Sequence, residues 1–148
     1  MKILFVCTGN TCRSPMAQTM FNQAASEGIT ADSAGIFAVF GSPASSAALE
    51  VMQERGFDLS IHSSKPLTSK LIFENDLILT MEIHHAEALK KSYSEFEDKI
   101  FTLKGYTDGE DADISDPFGE GLEAYGHCAD EIQAAVDKLL QRLGDNND

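Results

Sequence analysis

The chain has 148 residues, of which 43% are hydrophobic, and this is the usual size and composition of one compact domain. Its 24 acidic and 11 basic side chains give a formal net charge of −13, which repels nucleic acid backbones and anionic membrane surfaces and argues against nucleic acid or membrane partners. The first residues form neither a secretory signal nor a membrane span, and the number of cysteines is odd, so we expect a cytoplasmic protein with reduced thiols.

The first predicted element is a buried strand from Lys2 to Val6. A helix is predicted soon after it, with Ser14 as N-cap, Pro15 as first helical residue and Gly28 at its end. A strand, a glycine turn and a helix start in this order direct backbone N–H groups and a helix N-terminus at one point, which favours an anion. We therefore predict that residues 7–14, CTGNTCRS, cradle a phosphate.

Cys7 and Arg13 carry the chemistry of this loop. Amide dipoles, the helix end and the Arg13 charge stabilise a thiolate, which predicts a lowered pKa and a nucleophilic role for Cys7. The planar guanidinium of Arg13 can pair with two phosphoryl oxygens. The Ser14 hydroxyl can cap the helix or donate to the Cys7 sulfur. The other loop residues are predicted to bind the substrate: Thr8, Gly9, Asn10, Thr11, Cys12 and Ser14.

The rest of the chain alternates predicted strands with predicted helices, which favours a parallel sheet. Strands are predicted at 29–35, 76–81 and 99–103, and helices at about 43–55 and 83–91. Apolar residues from Leu122 to Leu143 recur at steps of three and four and predict a long amphipathic helix. We expect one domain over residues 1–144, followed by a polar tail at 145–148.

Asp116 is the best candidate for the acid that protonates a leaving group and then activates water. It precedes Pro117, which restricts its backbone, and Phe118, which is expected to form one wall of the site. The simpler alternative is a carboxylate that stabilises the N-terminus of the last helix. Four neighbouring acids are expected to form only a solvated surface: Asp108, Glu110, Asp111 and Asp113.

The remaining cysteines and the histidines suggest no cofactor. Cys12 is either a packed loop residue or the partner of Cys7 in a reversible disulfide, while Cys128 is predicted to pack in the core. The histidines lack zinc-site spacing, so we expect no metal and place them on the surface: His62, His84, His85 and His127.

The motifs CTGNTCRSPMA and SDPFG resemble the low-molecular-weight protein-tyrosine-phosphatase family. Further matching pieces are SAG at 33–35, Gly41 with Pro43, and DLILTM at 76–81, so that the resemblance covers essentially the whole chain. It implies a flavodoxin-like three-layer α/β domain with a four-stranded parallel sheet and helices on both faces. The active loop would lie at the carboxyl end of the first strand. The family also places an aromatic after Gly35, which implies a second wall from Phe37 or Phe40. We expect a monomer.

Tyrosine-directed members of the family usually carry an apolar residue at the position of Thr11. In this respect the loop resembles that of the bacterial protein-arginine phosphatase branch. A hydroxyl acceptor suits a guanidinium, which is rich in N–H donors, better than a phenol ring. After Asp116-Pro117 the chain has Phe118 and Gly119, where animal enzymes have two tyrosines.

We therefore expect hydrolysis of phosphoarginine on proteins through a phosphocysteine intermediate, with phosphotyrosine as the alternative. Two other functions are compatible with the fold. An arsenate reductase would need further cysteines to relay a disulfide, a role that Cys128 suits poorly. A non-catalytic phosphoresidue-binding module would have lost the nucleophile or the acid, whereas Cys7, Arg13 and Asp116 are all present.

Overall fold

The computed structural model describes residues 1–146, which contain a four-stranded, all-parallel sheet. The strands are β1 (Lys2–Cys7), β2 (Thr30–Gly35), β3 (Leu77–Thr80) and β4 (Ile100–Thr102). Their order across the sheet is β2-β1-β3-β4. Each lies within or next to a run predicted from the sequence, and the fully buried segment Ile3–Val6 of β1 has the continuous apolar character of a central parallel strand.

Helices cover both faces of the sheet, which confirms the three-layer α/β fold. Side chains of β1 alternate between the layers: Ile3 and Phe5 belong to one apolar cluster, and Leu4 and Val6 to the other. The helices are α1 (Arg13–Ala24), α2 (Ser46–Glu54), α3 (Ser69–Glu74), α4 (Ile83–Ser92), α5 (Leu103–Asp108) and α6 (Leu122–Asn146). The first cluster includes residues of α1, α2 and α6, and the second includes residues of α3 and α4.

The predicted start and end of the first helix are wrong. Helix α1 begins at Arg13 with Cys12 in the N-cap position, and it ends at Ala24. Ser14 lies in the first turn because its hydroxyl bonds Cys7 and Asn10 instead of capping the helix. Gly28, with φ +92°, belongs to the turn that leads into β2.

The other differences concern short helices and ends. Helix α2 starts at Ser46, because the Ser45 side chain accepts the Ala48 N–H as N-cap. Helices α3 and α5 and the 3₁₀-helix Ser94–Lys99 have six residues each, too few for an apolar period to be recognised. The predicted tail is helical at 145–146, and residues 147–148 lie outside the described residues.

Helix α6 confirms the apolar period predicted for the end of the chain. Tyr125, Ala129, Ile132, Val136, Leu139 and Leu143 are all buried, whereas Leu122 at its start is 47% exposed. Across residues 1–146, none of the helices combines the length and the apolarity that crossing a membrane requires.

Candidate active site

The loop 7–14 lies at the carboxyl end of β1 and runs into α1. It forms most of a cavity of about 200 Å³. The cavity is lined by Cys7, Thr8, Gly9, Thr11, Cys12, Arg13, Asp116 and Phe118. The structure thus brings together all predicted site residues except Asn10 and Ser14, which support the loop from behind.

The Cys7 thiol is buried at the base of this loop. Its sulfur lies 2.9 Å from Ser14 Oγ and accepts the Asn10 backbone N–H at 3.3 Å. Burial raises the pKa of the Cys7 thiol, although hydrogen bonds from Ser14 and Asn10 and the Arg13 charge oppose this effect. The predicted lowering of this pKa is therefore wrong, because the thiolate loses more hydration on burial than the loop replaces.

Ser14 is the main group that opposes this rise. Its oxygen accepts the Asn10 side-chain N–H at 2.8 Å, so its own hydroxyl proton is available to the Cys7 sulfur. The second predicted role of Ser14, as a donor to Cys7, thus agrees with the geometry.

Ser14→Ala is expected to raise the pKa of Cys7 further, since it removes the largest interaction that lowers it. At neutral pH less thiolate would remain, and Cys7 alkylation by iodoacetamide should slow about tenfold. The rate measured against pH should shift to higher pH. The control Ser42→Ala changes a half-buried serine in another loop and should leave the profile in place. An unmoved Ser14→Ala profile would show that the hydroxyl does not act on the thiol.

Asn10 fixes the curvature of the loop. Its φ of +57° is the only positive value at a non-glycine position among residues 1–146. Its side chain donates to Ser14 Oγ and to Ser33 Oγ and accepts the Lys65 N–H, while its carbonyl oxygen lies 2.7 Å from His62 Nε2. His62 is therefore half-buried, contrary to the prediction of a surface histidine. These bonds hold the loop in its curved shape.

Gly35, at the end of β2, lies directly against the loop. A Cβ at this position would approach the Thr8 carbonyl oxygen to 2.6 Å and the Asn10 nitrogen to 2.9 Å. Any larger side chain would therefore push the loop away from the sheet. This close approach explains the glycine in the SAG segment.

Arg13 is almost fully buried, with 1% of its surface exposed. Its Nη1 donates to the Ile114 carbonyl oxygen at 2.6 Å and pairs with Glu82 Oε2 at 3.0 Å, and its Nη2 lies 3.7 Å from Asp116 Oδ2. The sequence reasoning missed Glu82 and Ile114. The signal for Glu82 was its position just beyond β3, at the edge of the sheet where ligand-binding residues of such folds gather.

His85 supports the loop from the other side and is buried, so its predicted surface position is wrong. Its Nδ1 accepts the Glu82 backbone N–H at 3.2 Å, so the proton lies on Nε2, which donates to Thr8 Oγ1 at 3.0 Å. Burial, together with the neighbouring His84, lowers the pKa of His85 to about 4, and the ring is neutral at pH 7. His84 and His127 have exposed side chains, as predicted.

Glu82, His84 and His85 also place possible metal-ligand atoms within 4.8 Å of one another. However, His85 Nε2 carries a proton that Thr8 accepts, and Glu82 Oε2 already pairs with Arg13. A cation here would have to displace both contacts. We therefore describe these side chains as the support of Arg13 and Thr8.

Asp116 lies at the mouth of the cavity, with its side chain 44% exposed. Its Oδ1 accepts the Phe118 N–H at 3.0 Å, which forms a local turn. Helix α6 begins at Leu122, so Asp116 lies outside its first turn, and the alternative interpretation as a helix-dipole carboxylate is not supported.

The neighbouring acids are exposed, as predicted, but three of them also anchor their segment. Asp111 accepts the Thr102 hydroxyl, Asp113 accepts the Ile83 N–H, and Asp108 pairs with Lys138. These contacts hold the segment that carries Asp116 over the cavity.

The other two cysteines differ in their surroundings. Cys12 is buried, and its sulfur lies 3.3 Å from Ser45 Oγ and 3.5 Å from the Tyr125 hydroxyl, which fits a packed loop residue. All three cysteines are free thiols here, and the disulfide with Cys7 stays a prediction. Cys128 packs in the core as predicted, where burial raises its pKa to about 12 and makes it unreactive.

Aromatic side chains flank the cavity unequally. Phe118 lines it while remaining 73% exposed. Phe37 and Phe40 are 81% and 82% exposed and do not contribute to its lining. The structure therefore gives one aromatic wall from the predicted residues, and the second wall is not formed.

Comparison with known proteins gives consistent matches over nearly the whole chain. The sequence profile of the family described as low molecular weight phosphotyrosine protein phosphatase matches residues 2–148. A protein-arginine-phosphatase from Geobacillus stearothermophilus is 41% identical over 96% of this chain and 95% of its own length. A probable low molecular weight protein-tyrosine-phosphatase, EpsP, from Ralstonia solanacearum is 38% identical over 95% of this chain and 94% of its own.

Solved structures agree with this result. The YwlE arginine phosphatase from Geobacillus stearothermophilus superimposes with a TM-score of 0.95 at 40% identity, covering 98% of this chain and 94% of that chain. A low molecular weight protein tyrosine phosphatase from T. tengcongensis has a TM-score of 0.90 at 45% identity, covering 96% of this chain and 99% of that chain.

Proposed function

The chain belongs to the low molecular weight phosphotyrosine protein phosphatase family, and we propose that this protein phosphatase hydrolyses phosphoarginine on proteins through a phosphocysteine intermediate. The single observation that carries the proposal is the cavity in which Cys7, Arg13, Asp116 and Thr11 meet. Cys7 is the proposed nucleophile, Arg13 the phosphate clamp and Asp116 the acid.

In the first step the Cys7 thiolate attacks phosphorus. The S–P bond forms while the P–N bond breaks, and the leaving guanidine nitrogen keeps the electron pair and takes the proton of the Asp116 carboxyl group. Arg13 and the loop N–H groups stabilise the charge on the phosphoryl oxygens. The ion pair with Glu82 supports this role, since it holds the guanidinium in place.

In the second step water replaces the thiolate. The Asp116 carboxylate takes a proton from a water molecule, whose oxygen attacks phosphorus as the S–P bond breaks. Phosphate leaves, and Cys7 returns as the thiolate, with Asp116 protonated for the next cycle. Thr8, Gly9, Thr11 and Cys12 border the bound group, and Asn10 and Ser14 keep the loop in shape.

Thr11 supports arginine as the phosphorylated residue. It lines the same cavity as Asp116, so a hydroxyl oxygen and the carbonyl oxygen of the Asp116 carboxyl group can accept the N–H donors of a guanidinium. Two relatives named protein-arginine-phosphatase share 41% and 40% identity with this chain. Phosphotyrosine is the second candidate, because the exposed Phe118 ring can pack against a phenol, and the tyrosine phosphatase structure cited above is 45% identical.

Thr11→Ile tests this choice. Removing the hydroxyl should lower kcat/KM for a phosphoarginine peptide by about tenfold or more, because a guanidinium N–H loses its acceptor. Hydrolysis of the matching phosphotyrosine peptide should change less or rise. Thr19→Ile, on the far part of α1, is the control. An equal fall on both peptides would reject Thr11 as the determinant of arginine preference.

The arsenate reductase alternative finds little support. Such a reaction needs further reactive cysteines, whereas Cys128 is buried with a pKa of about 12 and contacts the Ser115 carbonyl oxygen.

We also propose that the enzyme is a cytoplasmic monomer with one domain, which extends through α6 to Asn146 instead of ending at residue 144. Its partners would be phosphorylated proteins and not nucleic acids or membranes. The net charge of −13 supports the exclusion of anionic partners.

A further inference from the structure

One side of the cavity mouth is uncharged and apolar. Residues 33–49 contain no Asp, Glu, Lys or Arg, in a chain of which 24% is charged. Within this segment Phe37, Val39 and Phe40 are 81%, 67% and 82% exposed. A group of large apolar side chains that is exposed to water is typical of a surface that binds a ligand or another protein.

This surface is continuous with the cavity. The Phe37 N–H donates to the Thr8 carbonyl oxygen at 2.9 Å, and Thr8 lines the cavity. The Ser45 N–H donates to the Thr11 carbonyl oxygen at 2.9 Å, and Thr11 also lines the cavity, so the segment is joined to the loop at two points. We call its exposed apolar side chains, together with the one on the cavity wall, the apolar rim: Phe37, Val39, Phe40 and Phe118.

The segment that carries Phe118 is acidic. Residues 108–123 contain seven acidic side chains and no Lys or Arg. Asp113, Asp116 and Glu120 are exposed, and Asp116 lines the cavity beside Phe118. Acidic groups of a ligand would be repelled by this segment.

We propose that the apolar rim binds the residues that flank the phosphoresidue of a protein substrate. The preferred segment would carry large apolar side chains beside the phosphoresidue and no acidic ones. This inference rests on the proposed function. The cavity holds about 200 Å³, enough for the phosphoresidue side chain, so the substrate backbone must cross the mouth and its neighbouring side chains meet the rim.

The proposal narrows the class of substrate protein. Segments with large apolar side chains are usually buried in folded proteins. A segment that reaches both the cavity and the apolar rim must therefore come from a flexible or unfolded region.

A peptide series tests the preference. Three phosphoarginine peptides would differ only in the flanking residues, which are Leu and Phe, Gly and Ser, or Asp and Glu. We expect kcat/KM for the apolar peptide to exceed that of the Gly/Ser peptide by about tenfold. The acidic peptide should be the poorest and should improve with salt, since screening weakens repulsion. Equal kcat/KM values for the three peptides would overturn the proposal.

Variants locate the effect on the rim. Val39→Ser with Phe40→Ser should remove most of the apolar preference, while Phe73→Ser, which changes a 70% exposed aromatic on α3, should keep it. The double variant, Phe73→Ser and the wild type should all hydrolyse a small aryl phosphate at the same rate. An unchanged preference in the double variant, or an equal loss in Phe73→Ser, would refute the rim as the binding surface.

The small substrate separates the two proposals. If the aryl phosphate is hydrolysed but the phosphoarginine peptides are not, the proposed arginine specificity is wrong. The three sets of flanking residues would then be compared on phosphotyrosine peptides, and equal kcat/KM values there would refute the rim. Hydrolysis of neither substrate type would remove the function itself.

Discussion

Cys7→Ser is expected to lower kcat by at least about four orders of magnitude on phosphoarginine and phosphotyrosine peptides alike. A serine hydroxyl is far less acidic than a thiol, and the groups bonded to this position, the Ser14 hydroxyl and the Asn10 backbone N–H, are not bases. The variant should still bind phosphate, because Arg13 and the loop amides remain. Steady-state rates and phosphate binding by calorimetry would measure the two effects separately.

Cys128→Ser provides the matched control, since it changes another buried cysteine that the proposed chemistry does not use. Its kcat should stay close to that of the wild type wherever the protein remains folded. Acid quenching of the wild type during turnover should also trap one phosphoryl group on the peptide that contains Cys7. Turnover in Cys7→Ser close to the wild-type rate would exclude the phosphocysteine mechanism.

Asp116→Asn is expected to lower kcat by about 10²- to 10⁴-fold on phosphopeptides, because the leaving nitrogen or oxygen loses its proton donor. The amide oxygen of asparagine can still accept the Phe118 N–H, so the local turn should persist. The loss should be much smaller for an aryl phosphate whose phenol is acidic and leaves without protonation. Rates across leaving groups of increasing acidity would measure this dependence.

Asp113→Asn tests whether any nearby carboxylate has the same effect. Asp113 is exposed on the same segment, and its Oδ1 accepts the Ile83 N–H, a bond that asparagine can also make. Its kcat should change by less than about threefold, since surface charges interact weakly across solvent. Similar losses in both variants, or no leaving-group dependence in Asp116→Asn, would remove Asp116 from the role of acid.

The sequence was informative where the determinants are local. Three apolar runs predicted β1, β3 and β4, because a parallel strand covered by helices on both faces is apolar on both sides. The order of strand, glycine turn and helix predicted where Cys7 and Arg13 lie. The boundary error at Ser14 arose because a hydroxyl that can cap a helix can also bond the neighbouring thiol, and the pattern does not choose between them.

The parts that could not be predicted depend on contacts between distant segments. Glu82 and the Ile114 carbonyl meet Arg13 only after β3 and the loop beyond β4 and α5 reach the same edge of the sheet. His62 and His85 do not stand at a spacing that indicates a site, yet each forms a hydrogen bond with the loop 7–14. The direction of the Cys7 pKa likewise depends on burial, which only the packed structure supplies.

The bonds that hold Asn10 at φ +57° have a consequence for regulation of the enzyme. Because the loop is already in its bound shape, little free energy is lost in reorganising it when a phosphate binds. This holds for a phosphate attached to a protein and for one free in solution. The released product competes for the same loop. On the proposed mechanism, free phosphate therefore lowers the rate by competing with the phosphoresidue for residues 7–14.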